Sequence, residues 1–153
     1  MGKSKLEKQI YFMLKNNIDF TYSDYYVLYP NNKIKIFKVK DKVNYKSLLK
    51  NNVVGCLTAV YDTKRIGKIY MPENAIKRED FAAWLLILKK INYAYKTNGV
   101  LATYRLSATS VSSNKRKMIK YHWNLYRNVE KISLFNSLFL MIIYIFNKLL
   151  CKY

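Results

Sequence analysis

Acidic residues are so scarce in this sequence that their placement is informative. Nine Asp and Glu stand against 28 Lys and Arg, and the one adjacent acidic pair is Glu79-Asp80. The pair opens a run from Glu79 to Ile91 in which Phe81, Trp84, Leu85 and Leu88 recur at helical spacing. Leu86 and Ile87 widen that stripe until the helix is apolar almost all round, as suits a helix deep in a protein or against a partner. Two chemistries fit a carboxylate at such a junction. Asp80 can serve as an N-cap or first-turn acid that complements the helix dipole. It can also serve as a general base, held where a loop meets a helix and aimed into a cleft.

The remaining candidates carry weaker signals. Arg105 closes a strand-like run before the Ser/Thr-rich stretch YRLSATSVSSN, where it could meet a phosphate or carboxylate or join a surface ion pair. His122 lies among Tyr, Trp and Lys with no triad partner in sequence, which points to packing or the surface. Cys56 reads as a small core residue in the middle of a strand. Cys56 and Cys151 stand far apart, and His122 is the only histidine, so no zinc spacing exists and no metal site is expected. The four glycines are scattered, which excludes a glycine-rich phosphate loop.

The elements that must position these residues follow from periodicity and turn chemistry. Ser4–Asn16 reads as a helix with Leu6, Ile10, Met13 and Leu14 on one side. Asp19–Tyr29 reads as a strand stopped by Pro30-Asn31-Asn32, and Lys33–Val39 as its half-buried neighbour. Tyr45–Lys50 is a short helix, and Val53–Tyr61 a buried strand. Asp62–Ala75, with Gly67 and Pro72, is a loop. Tyr93–Tyr95 and Val100–Leu106 read as strands joined by a hairpin turn at Thr97-Asn98-Gly99. Ser107–Asn114 is a polar loop, and a basic helix follows from about Lys115 to Lys131.

With 153 residues, 51% of them hydrophobic and a formal charge of +19, the chain is one domain's worth of sequence with a real core, not a disordered basic tail. The charge invites an anionic partner. Lys outnumbers Arg 23 to 5, however, which disfavours nucleic-acid recognition, and the abundant Lys, Asn, Ile and Tyr are also what AT-rich codons supply. The tail from Ile132 to Asn147 holds sixteen residues without a charge. Ser133, Asn136, Ser137 and Asn147 interrupt it, so it falls short of the ~20 apolar residues of a spanning helix. A helix lying on a membrane fits, with Lys115, Lys117, Lys120, Lys131 and Lys148 meeting anionic headgroups; so does a core helix or a subunit interface. No secretory signal opens the sequence, so cytoplasmic residence, peripheral on the inner face of the plasma membrane if the tail docks there, is the expectation.

The runs also resemble a known family in their order. KREDFAAWLLILKK (Lys77–Lys90) resembles the Glu-Asp helix of family-2 glycosyltransferases. KLEKQIYFMLKNNIDFTYSDY (Lys5–Tyr25) is similar to the segment that follows their metal-binding Asp-rich motif. GCLTAVYDTKRIGKIYMPE (Gly55–Glu73) is similar to the strand and loop ahead of the catalytic helix, and VLATYRLSATSVSSNK (Val100–Lys115) to the strand and loop that close over the donor diphosphate. The likeness is to the teichuronic-acid, capsule and lipopolysaccharide branch and covers nearly the whole sequence.

The resemblance implies an α/β chain with a partial GT-A (nucleotide-diphospho-sugar transferase) fold, the acceptor-side half, over residues 1–131, and a carboxyl-terminal amphipathic helix over 132–153. It implies an inverting transfer from a nucleotide-diphospho-sugar to a glycan or lipid-linked acceptor in cell-surface polysaccharide synthesis. Asp80 would take the acceptor hydroxyl proton, with Glu79 beside it. Trp84 would wall the acceptor site or pack the helix, and Arg105, Ser110 and Ser112 would lie near the diphosphate.

One departure is large. The family holds a divalent metal, Mg or Mn, on an Asp-x-Asp motif, and no Asp-x-Asp occurs anywhere in this sequence. The expectation is therefore a chain inactive alone that needs a separately encoded donor-binding half. A parallel sheet cut through its middle would leave an exposed strand edge and poor solubility. The rival reading is a non-catalytic basic module that binds a membrane surface or nucleic acid.

Overall fold

The computed structural model describes residues 4–107 and 115–150, with side chains from 4–107 and 117–147. Within them the chain is a mixed α/β fold. Six α-helices run Ser4–Asn16 (α1), Tyr45–Lys50 (α2), Thr63–Ile66 (α3), Glu79–Lys90 (α4), Lys115–Asn124 (α5) and Leu134–Leu150 (α6). Five strands run Phe20–Leu28 (β1), Ile34–Phe37 (β2), Lys42–Val43 (β3), Val60–Tyr61 (β4) and Ala94–Arg105 (β5).

The sheet follows the order β2-β1-β5-β3, with β4 pairing the start of β1. β1 pairs antiparallel with β2 and β4 and parallel with β5, and β3 pairs antiparallel with β5. The sheet is therefore mixed, where a parallel sheet was expected, and its β2 edge is the antiparallel arm of a hairpin. That hairpin turns at Pro30-Asn31-Asn32 as read from sequence: Asn32 takes φ 59°, and the Tyr29 amide donates to the Lys33 carbonyl at 2.9 Å.

Other expectations needed correction. Val53–Tyr61 is not one strand: Cys56–Thr58 forms a 3-10 turn, and only Val60–Tyr61 joins the sheet. The Asp62–Ala75 loop contains α3, capped by the Asp62 side chain, which accepts from the amides of Lys64 and Arg65. Thr97-Asn98-Gly99 is not a hairpin turn but a bulge within the continuous strand β5. The β1–β5 register passes from Ser23 opposite Thr97 directly to Asp24 opposite Val100, and Gly99 takes φ 104° there. A glycine signals a bulge as readily as a turn, since both need the left-handed region. The basic helix turns π-helical over Leu125–Val129, so α5 ends sooner than expected.

α4 is the centre of the core. Phe81, Ala82, Ala83, Trp84, Leu85, Ile87 and Leu88 are all buried, as its nearly all-round apolar sequence demands. It packs with Phe20 and Tyr22 of β1, Leu48 and Leu49 of α2, Tyr126, and Leu140, Met141 and Tyr144 of α6. Phe81, fully buried, contributes about 1.5–3 kcal/mol by leaving water. Glu130 is pinned beneath this layer. Its side chain is 1% exposed, paired with Lys89 at 2.7 Å and accepting from the Tyr45 hydroxyl.

α1 is packed against its own apolar grain. Lys5, Gln9 and Met13 form the buried face, while Leu6, Ile10, Tyr11 and Leu14 are exposed, Leu14 by 78%. Gln9 holds the polar face down by donating to the Thr58 carbonyl at 2.7 Å.

Candidate active site

The turn before α4 sets the geometry of the acidic pair. The Ala75 amide donates to Pro72 at 3.0 Å and the Arg78 amide to Ala75 at 2.6 Å, while Lys77 adopts φ 58°. Arg78 is the N-cap residue and makes no side-chain cap, so Asp80 is a first-turn acid and the capping reading of that residue falls. Glu79 accepts the Lys77 amide at 2.9 Å and is thus tied to the turn. Asp80 accepts the Phe81 amide at 2.7 Å through one oxygen.

Asp80 is partly buried, and burial lifts its carboxyl above the ordinary range. The Phe81 amide and the Arg78 guanidinium oppose that rise, and Glu79 adds to it. One residue from another element acts on Asp80's surroundings, and a second lies beside that one. The Cys56 thiol is pushed up by burial and by the Asp80 charge, with Lys5 acting the other way. The Lys5 amine is pushed down by its own burial, and the residue is 3% exposed. The 3-10 turn thus places the Cys56 thiol within electrostatic reach of both Asp80 on α4 and Lys5 on α1. Cys56 is exposed as a residue although its thiol is partly shielded from water, and it is not the core residue its sequence context suggested. A carboxylate whose proton affinity is raised by burial is a candidate general base.

The other site residues read from sequence scatter. Trp84 is 5% exposed with its ring 5.4 Å from that of Phe20, so it packs the helix, and its indole N–H has no hydrogen-bond partner among the described residues. Arg105 is exposed at the end of β5, opposite Leu28 of β1. Ser110 and Ser112 lie outside the described residues. Lys117 and Lys120 are exposed on α5, and Lys131 is exposed in the turn before α6; Lys115 begins α5 and Lys148 lies in the last turn of α6. His122 is buried and packs, its ring stacked on Tyr144 at 3.7 Å. Two open hollows lie away from Asp80. One, of about 310 Å³, sits between α1 and the β5 bulge, and one, of about 360 Å³, between α2 and the end of α4.

Among the described residues no three His, Cys, Asp or Glu side chains gather as a metal ion requires. Among them, too, no helix is long and apolar enough to cross a membrane.

Comparison with known proteins finds relatives named as glycosyltransferases. It is 39% identical over 132 residues to a Bacillus subtilis protein named as a teichuronic acid biosynthesis glycosyltransferase, TuaG, matching 85% of this chain and 52% of that protein. It is 41% identical over 123 residues to the Escherichia coli UDP-Glc:alpha-D-GlcNAc-diphosphoundecaprenol beta-1,3-glucosyltransferase WfgD, matching 80% of this chain and 48% of that protein. It is 31% identical over 149 residues to an uncharacterised glycosyltransferase of Haemophilus influenzae, matching 96% of this chain and 59% of that protein. The chain thus spans about half the length of the curated relatives it matches. No family model matches it. No solved structure matches it either.

Proposed function

Since the chain is a homologue of glycosyltransferases of cell-surface polysaccharide synthesis over most of its length, we propose that it is the acceptor-side half of an inverting, GT-A type glycosyltransferase of family 2. Its substrates are a nucleotide-diphospho-sugar and a glycan or lipid-linked acceptor. Asp80 takes the proton of the acceptor hydroxyl as that oxygen attacks the anomeric carbon. Glu79 holds the turn that aims it. Cys56, with Lys5 beside it, completes the wall on the α1 side, and Arg105, exposed at the end of β5, meets the diphosphate.

The observation that carries this reading is the homology itself, which runs over 85% of this chain and stops at 52% of the relative. α1 supports its incompleteness: a helix that turns Leu6, Ile10 and Leu14 outward is built to be covered. The cover we assign is a donor-binding half carrying the Asp-x-Asp motif, supplied by a separate chain or by further sequence of the same protein. Mg or Mn would be held there. Among the described residues of this chain no cluster suits a metal ion. The chain alone is then inactive, and it works in the cytoplasm at the inner face of the plasma membrane, where sugar nucleotides and lipid-linked acceptors meet.

Translation of the DNA upstream of Met1 in all three forward frames tests the assignment of the cover. An Asp-x-Asp half running up to Lys5 is the expected result. Its absence there and from neighbouring reading frames overturns a split enzyme and returns the rival, a basic binding module.

A further inference from the structure

α6 is a second helix with its apolar side outward, and its chemistry differs from that of α1. Ser137, Leu140, Met141 and Tyr144 face the protein. The outward stripe is Phe135, Leu138, Phe139, Ile142, Ile145 and Phe146, with the exposed Asn136 at its flank. Phe135 is 83% exposed and Ile142 67%. An ordinary surface helix shows the opposite pattern, with polar residues facing water. At 17 residues the helix is about 25 Å long, too short and too interrupted to span a bilayer.

The charge around the stripe selects its occupant. No charge falls between Ile132 and Asn147, and Lys131 lies exposed just ahead of the helix. From residue 115 to the end, eight Lys and Arg stand against one acid, Glu130, and that acid is already buried and paired with Lys89. A second copy of a chain carrying +19 would bring like charges together at such a face. An anionic lipid surface takes the apolar stripe into its acyl boundary and the lysines into its headgroups at once. α1 is a poorer match, since Glu7 and Lys8 break up its exposed side.

We propose that the outward face of α6 is a membrane-surface anchor that lies in the interface of an anionic bilayer. The consequence for the site is geometric. The inward face of the same helix carries Tyr144, whose hydroxyl accepts from Arg78 at 3.2 Å, and Arg78 is two residues from Asp80. A bilayer that holds α6 therefore holds the start of α4 close to the level of the headgroups, where the diphosphate of a lipid-linked acceptor would sit. The anchor does not depend on the catalytic reading, since a chain that transfers no sugar can still bind lipid.

Flotation of the full chain with vesicles tests it, because vesicle-bound protein rises while aggregate sinks. With vesicles of equal parts phosphatidylglycerol and phosphatidylethanolamine the chain is expected to float, and with phosphatidylcholine alone to stay below. The double variant Phe135→Ser/Phe139→Ser is expected to bind about tenfold more weakly or worse, with an unchanged circular-dichroism melt. Lys120→Glu/Lys131→Glu is expected to weaken binding and flatten its salt dependence. Failure to float with anionic vesicles overturns the proposal. So does flotation that the Phe variant leaves undiminished, or a wild-type dimer that the Phe variant turns to monomer.

Discussion

Arg78 donates through Nη2 to the Tyr144 hydroxyl at 3.2 Å, joining the N-cap of the helix that carries Asp80 to the middle of the carboxyl-terminal helix. The guanidinium also lies over the Tyr144 ring, 6.0 Å from its centre, and His122 stacks on that ring at 3.7 Å. One aromatic side chain on α6 thus orients the cation that moderates the Asp80 carboxyl. Tyr144→Phe keeps the ring and removes the acceptor. It is expected to cost about 1 kcal/mol in chemical denaturation, whereas Tyr144→Ala, which also removes the ring from the His122 stack, is expected to cost about 3 kcal/mol or more.

Asp80 binds its proton more tightly folded than unfolded, because burial outweighs the Phe81 amide and the Arg78 charge. Such a group favours the folded state at low pH, and that advantage is lost as pH rises from the unfolded to the folded value. Asp80→Asn is therefore expected to melt at the same temperature as the parent or higher at neutral pH, and to lose less stability as pH rises through the acidic range. Calorimetric melts of both proteins from acid to neutral pH check this. A variant markedly less stable than its parent at neutral pH would contradict the charge penalty at Asp80.

Removing the Arg78 charge takes away the cation that holds the Asp80 carboxyl down. In Arg78→Gln the Asp80 titration is expected to shift upward, read from the carboxyl carbon by NMR. An unmoved or lowered titration would show that Arg78 does not act on the acid.

The outward stripe of α1 makes the isolated chain poorly soluble on this account. Replacing Leu6, Ile10 and Leu14 with Lys or Gln is expected to raise soluble yield while changing stability by less than about 1 kcal/mol, as suits side chains already in water. If these changes unfold the chain, the stripe packs inside the protein in solution.

Much of this was legible in the sequence, and the exceptions have physical causes. α4 was readable because an apolar surface all round leaves a helix no place but the core, and Asp80 stood out because acids are rare in a chain of +19. Periodicity located α1 but not its facing: Met13 is buried while Leu6, Ile10 and Leu14 are exposed. It registers an apolar stripe without saying what covers it, and Gln9 found a partner in the Thr58 carbonyl instead. Gly99 marked a departure from regular strand, and only the pairing of Ser23 with Thr97 and Asp24 with Val100 distinguishes bulge from turn. Cys56 was not found as a neighbour of Asp80, nor Lys5 as a neighbour of Cys56. They come from α1 and the 3-10 turn, and no local pattern announces a meeting made by tertiary packing.

The central claim is that this chain supplies the catalytic base of a glycosyltransferase, and a chimaera tests it most directly. The chain is grafted into the Escherichia coli relative WfgD in place of the stretch it matches, and sugar transfer from UDP-glucose to a GlcNAc-diphospholipid is measured. The folded chimaera is expected to transfer sugar, and its Asp80→Asn variant to lose about a hundredfold or more in turnover. A folded chimaera that transfers nothing, or an Asp80→Asn variant that turns over like its parent, would contradict the account.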